Sequence, residues 1–206
     1  MHPSAFFPTL ALAIPAVLVL SGCGELRTPT DATPATTPSI ALSTAQGPET
    51  IGGIVAHDAC DPETFNASPF GPDLCFKQGR VTFDDFVAIL TAQQSVPEWH
   101  FTSDHPTARL GVDILGVNVG GEVHTFTPVK QFGGGLIQIL NDLSGNPVIT
   151  PECSAIEDDD KVAPGGKYQI EAEELAASVD ADGIARVQCC IHPWMRSEIH
   201  MVHSSN

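Results

Sequence analysis

The run Cys189-Cys190-Ile191-His192-Pro193-Trp194-Met195 places thiol, imidazole and thioether groups in one short loop. These are soft and borderline donors, of the kind that hold copper as two imidazoles and a thiolate in a trigonal plane with a weak thioether on the axis. The loop supplies one imidazole, and His124, in Gly121-Glu122-Val123-His124-Thr125-Phe126, is the upstream candidate for the second. His124, Cys189, His192 and Met195 together make the donor set of a mononuclear type 1 site, with one copper ion alternating between Cu(II) and Cu(I). The thiolate gives a short covalent bond, two neutral imidazoles serve both oxidation states, and the thioether favours the reduced ion.

Neighbouring cysteines in an extended strand point to opposite faces, so only one of Cys189 and Cys190 can aim at a metal. Cys189 has the parity of Val187 and suits the interior face, which sends Cys190 outward. The opposite choice, Cys190-x-His192, leaves little chain between donors, and a disulfide between the two neighbours would be strained and would destroy the site. The remaining cysteines are Cys23, Cys60, Cys75 and Cys153. With Cys23 set aside for lipid and one of the adjacent pair for metal, four remain, enough for two disulfides in an oxidising compartment. Cys60 and Cys75 would close a loop full of turn formers, and Cys153 would pair with whichever adjacent cysteine does not bind copper.

The elements that must carry these donors read mostly as strands. Trp99 and Phe101 alternate with His100 and Thr102, and Leu110 to Val119 alternates apolar with small or polar residues. Tyr168–Ile170, Ile184–Val187 and Ile199–Val202 continue the pattern. Gly120-Gly121, Gly133-Gly134-Gly135, Gly145-Asn146-Pro147 and Pro164-Gly165-Gly166 punctuate them. Many short strands with such turns predict an all-β sandwich. Within Val81 to Leu90, apolar residues at 83, 86, 87 and 90 have helical spacing and predict one amphipathic helix. Gly133–Gly135 lacks the Lys and Ser/Thr of a phosphate loop and is expected to be a flexible or close-packed loop near the metal. His57, His100, His105, His200 and His203 are expected to be structural or exposed. Phe65, Phe70 and Trp99 are expected to cover the sandwich or anchor the Cys60–Cys75 segment.

The chain starts with an apolar run, Leu10–Leu20, interrupted by Pro15, of signal-peptide length and too short to span a bilayer. Leu20-Ser21-Gly22-Cys23 follows and resembles the lipobox of bacterial lipoproteins, which implies cleavage before Cys23 and lipid attachment to it. No Lys or Arg precedes the apolar run, a departure from that pattern, and an ordinary secretory signal with a chance cysteine is the other reading. Residues 23–50, rich in Thr, Pro, Ala and Ser, predict an extended tether. The expected organisation is a signal segment 1–22, the tether 23–50, an N-terminal helical and disulfide-looped extension 51–96, and a main domain 97–206. Membrane attachment would be through the lipid alone, with the protein exported to the cell envelope.

Formal net charge is −16, from 25 acids against nine Lys and Arg, with eight His counted neutral. Without a basic patch to neutralise phosphates, nucleic-acid binding is excluded. The acids crowd between Glu152 and Asp182, facing only Lys161 and Lys167. This stretch reads either as a solvated acidic loop or as an electrostatic docking surface for a basic redox partner.

From about Pro97 to the C-terminus the chain resembles the cupredoxins, the superfamily of blue copper electron carriers. The resemblance rests on Gly-Gly-Glu-Val-His-Thr-Phe at 120–126 and on the Cys-x-x-His-Pro-aromatic-Met loop at 189–195. It implies a cupredoxin-like Greek-key β-sandwich, copper ligation by His124, Cys189, His192 and Met195, and electron transfer with redox partners by a monomer. It also implies that His192 reaches the surface as the electron port, with Pro193 and Trp194 as an apolar rim, although Trp194 equally suits packing over the loop. The His-x-His pairs of copper oxidases and nitrite reductases and the Cys-x-x-x-Cys of binuclear copper centres do not occur, and no Ser-His-Asp or paired-carboxylate motif stands out, so catalysis is not expected. A surface copper-binding or copper-delivery protein without an electron-carrier role is the alternative for the same ligands.

Overall fold

Short runs of alternating burial, interrupted by glycine and proline turns, fold this chain into strands that bury one face each. The computed structural model describes residues 52–102 and 106–203. The signal segment, Cys23, the tether and His105 lie outside the described residues.

Among the described residues, eight strands form two four-stranded sheets. The first joins β2 (His100–Phe101), β1 (Gly53–His57), β4 (Ile114–Asn118) and β6 (Lys167–Ile170), in that order. The second joins β3 (Thr107–Arg109), β8 (Arg196–Val202), β7 (Ile184–Gln188) and β5 (Thr127–Val129). Pairing is antiparallel except between β1 and β4 and between β3 and β8. From β2 onward the chain passes back and forth between the sheets, and only β7 and β8 are successive neighbours in one sheet. Residues distant in sequence are thereby brought to one end of the sandwich.

The core lies between the sheets. Ile54, Ala56, Phe101, Ile114 and Ile170 from the first pack in one buried cluster with Ala185, Val187 and Ile199 from the second. Phe126 stacks on Phe101 at 5.3 Å between ring centroids. A Cβ on Gly116 would come within 2.5 Å of the Phe126 ring, so only glycine at that position of β4 lets the ring lie flat on the strand.

The expected helix appears as α2 (Phe83–Gln93). Thr82 caps it: its hydroxyl oxygen accepts the Asp85 amide and its O–H donates to the Asp85 carboxylate. Gln94, at φ 59°, ends it. A shorter α1 (Pro62–Phe65) precedes it, with Asp61 as cap and proline at its first position. Phe65, Phe86 and Trp99 form a ring cluster with centroid separations of 5.5, 4.9 and 5.8 Å. Phe65 and Trp99 are buried as expected, whereas Phe70 is exposed. Cys60 and Cys75 are disulfide-bonded at the edge of this layer.

β1 sits inside the first sheet, hydrogen-bonded to both β2 and β4. Residues 52–96 therefore supply a central strand as well as a helical layer. The acidic stretch after Glu152 is also more than a loop: it holds α4 (Pro151–Ser154), β6 and α5 (Ala172–Ala177). Before it come the Gly133–Gly135 segment and α3 (Gln138–Leu143). That segment is close-packed: a Cβ on Gly135 would lie 2.0 Å from the Cys190 carbonyl oxygen.

Candidate metal centre

The end of β7 delivers Cys189, the loop before β8 delivers His192, and the loop between β4 and β5 delivers His124. The potential ligand atoms of these three residues all lie within 4.8 Å of one another, and all three residues are buried. Cys189 Sγ is 3.7 Å from His124 Nδ1 and 3.8 Å from His192 Nδ1. With bonds of about 2.3 Å to sulfur and about 2.0 Å to nitrogen, a trigonal arrangement needs sulfur–nitrogen separations of about 3.7 Å. The observed spacing fits that geometry, and the His-Cys-His cluster fits a blue copper site.

Main-chain bonds hold the first loop rigidly. His124 exchanges backbone hydrogen bonds with Val162, at 3.1 and 2.8 Å. Asn118, fully buried at the end of β4, donates through its amide nitrogen to the Glu122 and Val162 carbonyls and accepts the Gly120 N–H. Thr125 ties the two ligand loops together: its N–H donates to Cys189 Sγ at 3.5 Å, and its hydroxyl oxygen accepts the Cys190 N–H at 2.8 Å. In the second loop, the Met195 N–H donates to the His192 carbonyl and the Cys189 N–H to the Met195 carbonyl. Met195 is fully buried in the core cluster.

Cys190 is disulfide-bonded to Cys153, and Cys189 is the free cysteine among the described residues. The expectation that Cys190 points outward needs one correction. It is 0 % exposed, because α4 and the Gly133–Gly135 segment cover that face. Gln188 is buried as well, so the end of β7 shows no in–out alternation.

His192 differs more sharply from expectation. It is 3 % exposed, so the C-terminal imidazole does not reach the surface. Its ring lies 5.5 Å from Trp194, which packs over the loop and also approaches Phe86 at 6.0 Å. Trp99 lies 6.5 Å away. Pro193 is buried too. The helical layer closes over the place where an exposed edge was expected, and His192 instead lines an apolar groove with Phe86, Val87, Ile139 and Leu140.

Both outer imidazole nitrogens meet carboxylates that the sequence did not single out. His124 Nε2 is 2.9 Å from Asp58 Oδ2, both side chains being fully buried. His192 Nε2 is 3.4 Å from Glu122 Oε2, which also accepts the Trp99 indole N–H. Burial alone would raise the Asp58 carboxyl, but His124 and the Glu122 and Gly121 amides outweigh it and bring its pKa to about 2. Burial likewise pushes the Cys189 thiol up, while hydrogen bonds from both imidazoles hold it well below its ordinary value. Thiolate, the form a metal needs, is thus the favoured state.

Among the described residues, the other histidines are not part of the cluster. His57 and His100 stack on each other at 4.9 Å, with burial first among the causes that lower the His57 pKa. His200 and His203 are exposed.

Neither a family model nor a curated protein matches the sequence. Among solved structures, the chain is similar to a purple cupredoxin from Nitrosopumilus maritimus, at 11 % identity and a TM-score of 0.32 over 52 % of this chain and 86 % of that one. It is also similar to a mutant plastocyanin of fern, at 14 % identity and a TM-score of 0.31 over 50 % of this chain and 89 % of that one. A dithionite-reduced auracyanin from Roseiflexus castenholzii is similar at 16 % identity and a TM-score of 0.29, over 50 % and 87 % of the two chains.

Proposed function

We propose that this protein is a type 1 copper protein that carries single electrons between redox partners at the cell envelope. The observation that carries the reading is the convergence of one thiolate and two imidazole Nδ1 atoms, buried and separated by 3.7 and 3.8 Å across sulfur. Copper would supply the one-electron Cu(II)/Cu(I) couple there, and His124, Cys189 and His192 would hold it, with Met195 as a further thioether donor. The protein's part is to keep those groups still. Val162, Asn118 and Thr125 fix the first loop and join it to the second, so that neither oxidation state requires the donors to rearrange. Burial of all three donors excludes water and supports a resident ion over one handed on to another protein.

Electron exchange would occur through the apolar groove that His192 borders, with Asp73 on its wall and Asp84 and Asp85 in the first turn of α2 nearby. A basic partner with an apolar contact suits that surface. The proposed arrangement keeps Cys23 as the lipid attachment point, residues 23–50 as the tether, and a monomeric domain acting without enzymatic turnover.

The test compares the adjacent cysteines. Copper-loaded protein is expected to show an intense thiolate-to-copper charge-transfer band. Cys189→Ser is expected to abolish it, while the double variant Cys153→Ser/Cys190→Ser keeps it. Loss of the band in the double variant with retention in Cys189→Ser would refute the ligand assignment.

A further inference from the structure

We propose that Asp58 and Glu122 are positioning residues for the two imidazoles and that their charges bias the site toward oxidised copper. The proposal rests on the type 1 copper reading and adds the residues that set the imidazole tautomers and the reduction potential.

The geometry is the same at both ends. Each imidazole turns Nδ1 toward Cys189 Sγ and Nε2 toward a carboxylate oxygen, Asp58 Oδ2 at 2.9 Å and Glu122 Oε2 at 3.4 Å. With a metal bound, an imidazole whose Nε2–H faces a carboxylate would keep that proton and give up the one on Nδ1, leaving the Nδ1 lone pair for the metal. Side chains flanking a metal usually share this task with backbone carbonyls or water; here two carboxylates perform it.

Both carboxylates also accept hydrogen bonds from donors outside the imidazoles. The Gly121 N–H lies 2.9 and 2.8 Å from the two Asp58 oxygens, the Glu122 N–H donates at 3.0 Å and the Cys60 N–H at 3.3 Å. Glu122 accepts the Trp99 indole N–H. Residue 122 also links the pair, because its amide serves Asp58 while its side chain serves His192. The Cys60–Cys75 disulfide and the Trp99 ring cluster then act as the outer support of the site.

Charge gives the direction of the effect. A thiolate and two neutral imidazoles leave a copper site at +1 when oxidised and neutral when reduced. Two nearby anions in a buried environment stabilise the more positive state, since attraction there is weakly screened. Neutralising either anion should therefore favour Cu(I).

Asp58→Asn and Glu122→Gln, each nearly isosteric, test this in the copper protein. Asp58→Asn is expected to shift the ratio of Cu(I) to Cu(II) affinity toward Cu(I) by at least tenfold, which for a one-electron couple is about 59 mV. Glu122→Gln is expected to shift it in the same direction by less, because its contact is longer and its side chain is 12 % exposed. Glu157→Gln, on the exposed acidic stretch, is expected to leave the potential unchanged. A folded Asp58→Asn or Glu122→Gln protein with the wild-type potential would overturn the charge role. Proton NMR of metal-free wild-type protein gives an independent readout that requires no variant to fold. Slowly exchanging Nε2–H signals are expected from both His124 and His192, and rapid exchange at either would overturn the positioning role of its carboxylate. Absence of the charge-transfer band in wild type would instead refute the copper reading, while the NMR result would still decide what Asp58 and Glu122 do.

Discussion

The two imidazoles of the centre are anchored by different parts of the molecule. His124 belongs to the sandwich: its backbone pairs with Val162 and its ring leans on an aspartate fully removed from solvent. His192 depends on a second layer, where Trp99, Phe86 and Trp194 enclose it and Glu122 contacts it at the longer distance of 3.4 Å. The contrast separates rigidity from access. One ligand is fixed by the sheet framework, while the other lies beneath a layer of aromatic side chains.

The strongest way to break that contrast is to remove the cover. Trp99→Ala is expected to cost about 3–5 kcal/mol of stability, the range for deleting a large buried aromatic. NMR should then show faster exchange at the His192 ring with the His124 ring unaffected. Equal loosening of both rings would mean that the layer supports the whole site and not one ligand. Removing the two disulfides compares the same regions. Cross-linking entropy gives about 4 kcal/mol for Cys153–Cys190, with its separation of 37 residues, and about 3 kcal/mol for Cys60–Cys75, with 15. Denaturant unfolding of the paired serine variants measures both.

How much of this was legible in the sequence follows from the same contrast. The C-terminal loop declares itself because three donors fall within one short run, and α2 and the longer strands show a full period of their pattern. β1, β3 and β5 have three to five residues and α1 and α3 to α5 four to six, too few to establish a period. Asp58 carries no local signal, since it meets His124 across 66 positions of sequence. Glu122, two residues before His124, was within the quoted motif, but its role needs the fold to bring His192 against it. The exposure expected for His192 failed for a related reason. A loop motif transfers the loop, and here residues 52–99 pack over it.

A smaller effect sharpens the comparison from the sandwich side. Asn118→Ala would take from the Glu122 carbonyl its side-chain donor and leave the Val162 carbonyl with the His124 N–H, at a cost of about 1–3 kcal/mol. It is expected to shift the visible spectrum through His124 while leaving His192 exchange unchanged. The smallest structural effect should come from Val87→Lys, at an exposed position on the groove. Stability and colour should be nearly unaltered, whereas electron exchange with a redox partner should slow. An unchanged exchange rate would move the docking surface elsewhere.

X-ray absorption at the copper edge of the loaded protein tests the central claim most directly. One short sulfur scatterer with two imidazole nitrogens is the predicted coordination shell. Two short sulfurs, or a shell of nitrogen and oxygen alone, would contradict it.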